Sequence, residues 1–500
     1  MNTEFFMLSP VIFLTVVALI GITLDAIKEN NTGLGFSVAM IGLIGTAVLS
    51  ALTMTVPEGD IANLYNTDLL TAGTFAFGGL GSYFDILFCV AAILTLLASR
   101  NYLAMEQKET TEYYNLILFA VAGMMIISHS KHLLTLFIGI ETMSVTFYIL
   151  AGYFRHTDKS VEASLKYFLL GAFSTGFLLN CMAMIYGSTG TMMLRGSGDV
   201  ANIASAISAG EITNYFFLAM GVGMMIVGLA FKVAAFPFHQ WAPDVYTGAP
   251  TVVSGFMSTA GKSAALLSFI IFSTTFLPLE NVVAEVQANT ESALTIVAIL
   301  SALTMLVGNV TALVQKNVKR MLAFSSVAHA GYLLMGIVAN SEAGYHGIIF
   351  YMTAYTFMQL GAFAVVSLLE RDGDRYQMID DYAGLYKSNP LLALIMAIFM
   401  FSLAGIPPMA GFFGKYYLFS AAIESGYTWL TIVAVVSSII SMYFYIGLVL
   451  SMYFKEKEGE QLVSIGGGGK VVALISVTAI LVLGIMPSLL TTLIDSIKML

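Results

Sequence analysis

The chain has 500 residues, 58% of them hydrophobic and 10% charged, with a formal net charge of −9. A soluble globular domain carries about 25% charged residues, so this composition excludes one. The acidic balance also excludes a nucleic-acid partner, whose phosphates need a basic surface. What remains is a lipid bilayer, whose core of about 30 Å is crossed by helices of roughly 20 apolar residues that satisfy their own backbone.

Apolar runs follow in chain order at 5–24, 34–56, 80–99, 113–129, 133–154, 163–187, 214–236, 248–277, 292–314, 321–340, 344–369, 390–424, 427–454 and 471–494. They predict an all-α polytopic membrane protein of about fourteen transmembrane helices, numbered here as crossings 1 to 14. In this count 390–424 crosses once and 237–247 is a broken end of crossing 7. The residues before the first run include an acid and no base, so the positive start of a cleaved signal peptide is missing and crossing 1 is expected to stay. The connecting stretches are too short for a domain of typically 50 residues or more, so no soluble catalytic domain is expected.

The loops after odd-numbered crossings hold fourteen Lys and Arg, among them Lys28, Arg155, Lys319 and Lys455, against Lys131, Arg195 and Lys498 on the other side. Cytoplasmic loops carry the excess of Lys and Arg, which places both termini on the non-cytoplasmic side.

Two crossings are interrupted. Crossing 7 contains Pro237, Pro243 and Pro250, and crossing 12 contains Pro407 and Pro408 among three glycines. Proline removes an amide donor and breaks a helix, which a membrane tolerates where protein or a water-filled cavity satisfies the freed backbone. The breaks stand fourth in two five-crossing sets, 4–8 and 9–13. A repeat with an odd number of crossings re-enters the membrane upside down, giving the inverted repeats in which broken helices mark an ion path. The organisation expected is an N-terminal set of crossings 1–3 (residues 1–112), a first half-channel repeat (113–277), a second (291–454), and a C-terminal crossing (470–500).

Four ionisable side chains stand well inside apolar runs, Glu141, Lys232, Lys262 and Lys415, and His329 joins them. An ionisable group in a membrane costs about 3 kcal/mol on insertion scales, and its default reading is functional. The competing reading for a lysine is that it snorkels to the surface. Lys262 lies about fifteen residues from either end of its run, so at 1.5 Å per residue its ammonium would have to climb roughly 15–20 Å. Its stem cannot span that. Lys232 and Lys415 adjoin the helix breaks, Lys166 lies about a turn inside crossing 6, and Glu141 is central and short. His329 is open to two readings, a hydrogen-bonded core residue or a relay that titrates near neutrality. A lysine in a dry site beside a movable carboxylate can take up and release a proton, and Glu141 is the acid available to these bases.

Cys89 and Cys181 lie in apolar runs and read as small buried hydrophobes; two cysteines cannot provide the four ligands of an iron–sulfur cluster. The histidines are scattered apart from His129 and His132, which read as interfacial, so neither a metal site nor a bound cofactor is expected in this chain. Trp241 and Trp429 read as interface anchors.

The strings FKVAAFPFHQWAPDVYTGAP (231–250), STAGKSAAL (258–266), VQKNVKRMLAFSSVAHAGYLLMG (314–336) and SLAGIPPMAGFFGKYY (402–417) resemble the antiporter-like subunits of proton-pumping NADH:quinone oxidoreductase, respiratory complex I. With Glu141 the likeness covers most of 113–455. Among the forms of that family the chain is more similar to subunit N than to L or M: it has Lys262 where relatives tend to have histidine, Lys415 where subunit M has glutamate, and no long lateral arm after crossing 14. The resemblance implies that Glu141 and Lys232 form the interacting pair of the first half-channel. Lys262 would then be the central link, Lys415 the terminal lysine of the second half-channel, and Lys166 and His329 relays. It implies a bacterial inner membrane, partners among the membrane-arm subunits including antiporter-like subunit M and small helical subunits, and flavin and iron–sulfur clusters held by partner subunits. Two other functions compete: a subunit of a multisubunit sodium/proton antiporter, and a quinone-reducing membrane enzyme, which would need a redox centre for which these residues offer no ligands.

Overall fold

The computed structural model describes residues 3–27, 31–56, 75, 78–196, 201–278, 282–370, 376–456 and 467–497. Among them every regular element is a helix. Thirteen of the described helices are long and apolar enough to cross a membrane, and the shorter pair Pro390–Ala404 and Ala410–Glu424 makes the remaining crossing. The fourteen-crossing reading therefore holds for this all-α membrane protein.

Crossings 1 to 6 are Thr3–Ile27, Thr32–Thr53, Gly79–Met105, Thr111–Ser128, Leu133–Ala151 and Asp158–Thr189. Crossing 7 is Tyr215–Val233 followed by Trp241–Gly248, and crossing 8 is Thr251–Phe276. Crossings 9, 10 and 11 are Ala284–Leu313, Val318–Ala339 and Glu342–Leu369; crossing 13 is Thr428–Phe454 and crossing 14 Gly468–Ile485. Side-chain caps start several of them, as orphan amides at a helix N-terminus require: Asn31 accepts from the Leu34 amide, Asn214 from Phe217, Asn317 from Arg320 and Ser341 from Gly344.

Crossings 8 and 10 are enclosed by protein along their apolar cores, whereas crossings 1, 2 and 6 show most of theirs outward. The ionisable groups of crossings 8 and 10 are thus in the interior of the bundle. Small residues let the backbones approach, the usual means of packing helices in lipid. A Cβ on Gly308 of crossing 9 would lie 2.6 Å from the Ala328 amide of crossing 10, and one on Gly123 of crossing 4 would lie 2.6 Å from the Met143 amide of crossing 5. The same pair of neighbours, first and second in each five-crossing set, is therefore packed in the same way.

Both breaks fall where the prolines put them. Tyr215–Val233 ends at Ala234, which has left-handed backbone (φ 60), and Pro390–Ala404 ends at Gly405 (φ 87). A left-handed residue closes a helix by turning its amide back onto the last carbonyls: Ala234 N–H reaches the Ala230 and Phe231 carbonyls, and Gly405 N–H those of Phe401 and Ser402. The Phe236–Pro237 and Pro407–Pro408 peptide bonds are both cis.

The structure corrects the sequence reading at the ends of the chain's elements. The run 471–494 is not one helix, since crossing 14 stops at Ile485 and a short helix Ser488–Asp495 follows Pro487. The stretch 188–213 contains a short helix, Ile203–Ala209, capped by the Asn202 side chain. Lys28 of the loop-charge count lies outside the described residues, as do Arg371, Arg375, Lys457 and Lys498.

Candidate functional site

Crossing 5 carries Glu141 and crossing 7 carries Lys232 in its last turn before the break. Their Oε1 and Nζ are 3.5 Å apart, with the lysine enclosed and the carboxylate partly open. Each also has a hydroxyl partner: Lys232 donates to Ser144 Oγ at 2.7 Å, and Thr175 of crossing 6 donates to Glu141 Oε1 at 2.8 Å. Ser144 lies three residues after Glu141, so both partners of the lysine share one face of crossing 5.

Lys262 begins the regular part of crossing 8 after a π-helical stretch, Met257–Gly261. Such bulges occur frequently at functional sites. It is 1% exposed, and its ammonium donates to both the carbonyl and the Oγ of Ser326 on crossing 10. Three residues on along crossing 10, His329 is held between two tyrosines, with Nδ1 2.6 Å from Tyr351 Oη and Nε2 3.0 Å from Tyr445 Oη. Another three residues on, the Tyr332 ring lies 4.8 Å beneath the Lys415 ammonium. Ser326, His329 and Tyr332 are spaced for a single helix face, so one side of crossing 10 leads from one buried lysine to the other.

Lys415 follows the break in crossing 12 and is 4% exposed. It donates to the carbonyls of Leu403 (3.1 Å) and Ala404 (3.0 Å) and to Ser438 Oγ (2.9 Å). Those carbonyls are the C-terminal end of the first half-helix, where the aligned peptide dipoles favour a cation. Gly405 makes this possible in two ways. Its φ of 87° suits a residue without a Cβ, and a Cβ there would stand 3.1 Å from Lys415 Cδ and 3.3 Å from Nζ.

Lys166 is placed differently. Its side chain is 40% exposed and bridges Glu162 at 2.6 Å and Asp244 at 2.8 Å, and Asp244 also holds Arg320 at 2.8 Å. The geometry therefore brings Lys262, His329 and Lys415 together along crossing 10, brings Glu141 to Lys232, and leaves Lys166 in a half-exposed network at the end of the bundle. Lys232 and Lys262 share no hydrogen-bonding partner among the described residues.

The sequence reading overlooked several groups. Asp85 of crossing 3 is fully buried and pairs with His129 at 2.7 Å, its second oxygen accepting from Ser128 Oγ at 2.6 Å. His129, at the C-terminal end of crossing 4, is thus enclosed by protein. An acid in the apolar run YFDILF was the available signal. Lys319, counted with the loops, is buried in the first turn of crossing 10, 3.7 Å from the buried Glu370. Trp241 is no interface anchor either, being 3% exposed and stacked 4.4 Å from the Tyr167 ring with its indole N–H on the Phe231 carbonyl. Trp429 is exposed, and Cys89 and Cys181 are buried free thiols. Among the described residues no group of three or more His, Cys, Asp or Glu is arranged to hold a metal ion.

The family described as NADH:quinone oxidoreductase/Mrp antiporter, TM, matches residues 130–441 of this chain. The chain is 41% identical over 409 residues to NADH-quinone oxidoreductase subunit N of Trichlorobacter lovleyi, an overlap of 82% of this chain and 81% of that one. It is similar to a chain of respiratory complex I from Thermus thermophilus with bound aureothin, at TM-score 0.78 and 29% identity, covering 98% of this chain and 100% of the other. A chain of the Mrp complex from a Dietzia species has the same fold at TM-score 0.78 and 22% identity, over 98% and 96% of the two chains.

Proposed function

This chain belongs to the NADH:quinone oxidoreductase/Mrp antiporter transmembrane family, in its subunit N branch, and we propose that it is a proton-translocating subunit in the membrane arm of an NADH:quinone oxidoreductase. Quinone reduction in partner subunits drives it, and the redox centres belong to those partners. The similarity to subunit N over most of both chains favours this reading over a sodium/proton antiporter, because the likeness to the Mrp complex extends to the fold alone.

The observation that carries it is the line of enclosed ionisable groups from Lys262 through His329 to Lys415 on one face of crossing 10. Ionisable groups at this depth are costly, and by default they mark a pathway. Glu141 and Lys232 form the loading pair of the first half-channel (113–277). A carboxylate close to the lysine stabilises its proton, and withdrawal of that carboxylate loosens it. Lys262 links the two halves, His329 relays between its tyrosines, and Lys415 delivers the proton from the second half-channel (291–454). Lys166 acts at the surface, where its network with Asp244 and Arg320 gathers charge at the mouth of the first half. The chain sits in a bacterial inner membrane beside antiporter-like subunit M and small helical subunits, with both termini outside the cytoplasm.

Lys262→Ala and Lys415→Ala test this directly. Each should abolish most quinone-coupled proton pumping in vesicles containing the assembled complex, while electron transfer through the detached peripheral arm continues. Normal pumping by both variants at normal assembly would remove the two lysines from the path.

A further inference from the structure

We propose that the buried pair Lys319–Glu370, with the hydroxyls of Thr251, Ser254 and Ser258, is a second proton-uptake route that feeds Lys262 from the end of the bundle. The inference rests on the reading of Lys262 as a proton carrier.

Glu370 follows crossing 11 and has a side chain that is fully enclosed, 3.7 Å from the Lys319 ammonium. Buried charges cost several kcal/mol each unless geometry and extra hydrogen bonds compensate, and here both are heavily supplied. Glu370 accepts from Thr251 Oγ1 at the start of crossing 8 and from Gln377 Nε2. Lys319 donates to the Ala249 carbonyl at 3.0 Å. The hydroxyl of Tyr102 lies 3.4 Å from the Thr251 amide. The arrangement repeats that of Glu141 and Lys232: a lysine and a carboxylate just beyond direct hydrogen-bonding distance, each also held by neutral groups.

What distinguishes the second pair is where it leads. Thr251, Ser254, Ser258 and Lys262 follow one another on crossing 8 at intervals of three and four residues, all of them buried. Ser258 lies in the π-helical stretch Met257–Gly261, whose wider turn still leaves residues four apart close to one face, so the four stay near one side of the helix over a rise of at most about 16 Å. Ser254 Oγ donates to the Tyr246 carbonyl at 2.7 Å and Ser258 Oγ to the Gly255 carbonyl at 2.9 Å. Each hydroxyl is thereby satisfied as a donor and keeps lone pairs free to accept. At the other end, Arg320 adjoins Lys319 in sequence and pairs with Asp244, both about one-third exposed, so the pair lies just behind a charged surface.

The proton balance is simple. An incoming proton neutralises the Glu370 carboxylate; the acid then gives a proton to the hydroxyl chain, each member of which accepts one and releases one. The proton ends on the neutral amine of Lys262, and Glu370 is a carboxylate again.

The test uses the assembled complex in vesicles and compares three variants with the wild type for quinone-coupled pumping. Lys415→Ala reports on the functional reading itself. Glu370→Gln with Lys319→Met removes both charges at similar volume, so a pair that merely holds the fold should be replaced without loss of pumping. Ser254→Ala with Ser258→Ala removes two oxygens from the stripe and leaves the pair intact. The expected result is that all three lose pumping, the two double variants by at least about tenfold, less than the roughly 10²–10⁴-fold that a positioned proton-transfer group contributes because the Glu141–Lys232 pair still loads Lys262. Loss in Lys415→Ala with wild-type pumping in both double variants would overturn this inference and leave the functional reading standing. Wild-type pumping in Lys415→Ala would overturn the reading and, with it, this route. Should the charge-pair variant fail to assemble, the serine variant decides alone.

Discussion

The 3.5 Å between Glu141 and Lys232 is longer than a charge-assisted hydrogen bond of about 2.7–2.9 Å. Both side chains instead close on hydroxyls, Thr175 and Ser144, so a small shift can make or break the ion pair without leaving either group unsatisfied. Glu141→Asp keeps the charge with a shorter reach, and Glu141→Gln keeps the shape without the charge. In pumping assays with assembly checked on native gels, Asp should retain a large share of the rate and Gln should lose most of it. Wild-type pumping by the Gln variant would make Glu141 a plain hydrogen-bonding group. Asp85 gives the contrast. Its bonds to His129 and Ser128 are short, which reads as a structural clasp between crossings 3 and 4. Asp85→Ala should destabilise the protein by about 3–5 kcal/mol, the usual effect of orphaning one member of a buried pair, seen as reduced assembly, with pumping per assembled complex preserved.

At the scale of elements, the two broken crossings do the same thing by different residues. Each stops a half-helix with a left-handed residue and leaves a lysine beside the break, Lys232 before it and Lys415 after it. Proline positions made the breaks legible in the sequence, because a missing amide donor has local consequences. The left-handed stop at Ala234, the carbonyl pair that receives Lys415 and the π-helical stretch before Lys262 were not legible, since each depends on what packs alongside. Gly405→Ala tests one of them. Forcing a Cβ into left-handed backbone costs roughly 1–2 kcal/mol, and that Cβ would press on the Lys415 side chain. Thermal unfolding of the purified complex should show the loss of stability, and pumping should fall with it. Gly176→Ala, where a Cβ would meet nothing within 4 Å, should change neither.

For the whole molecule, the loop charges set orientation. Arg155, Lys316 and Lys455 are exposed and follow odd-numbered crossings, so cysteines in their places should react with an impermeant thiol reagent in inverted membrane vesicles and be shielded in intact cells. A cysteine at Asp495, beyond crossing 14 and 67% exposed in its side chain, should behave in the opposite way. Labelling of Lys316→Cys from outside intact cells would refute the fourteen-crossing topology. Lys319, one of the cations that set this orientation rule, is unsuitable as a probe because it is buried.

The sequence by itself determined the membrane setting, the number of crossings, the two breaks and the family, together with the buried charges at the centres of apolar runs. These are consequences of local composition and of the cost of polar groups in lipid, which no later packing can waive. Tertiary structure decided what most of these charges meet. The resemblance already implied the pairing of Glu141 with Lys232, whereas only packing set Lys262 on Ser326 and turned Lys166 to Asp244 at the surface. It also drew Lys319 and Glu370 together, although both stand at the edges of their apolar runs, where sequence reads a charge as solvated. A helix fixes the face its residues share but not the neighbour that face meets. Pairing between crossings far apart in the chain is settled when they pack.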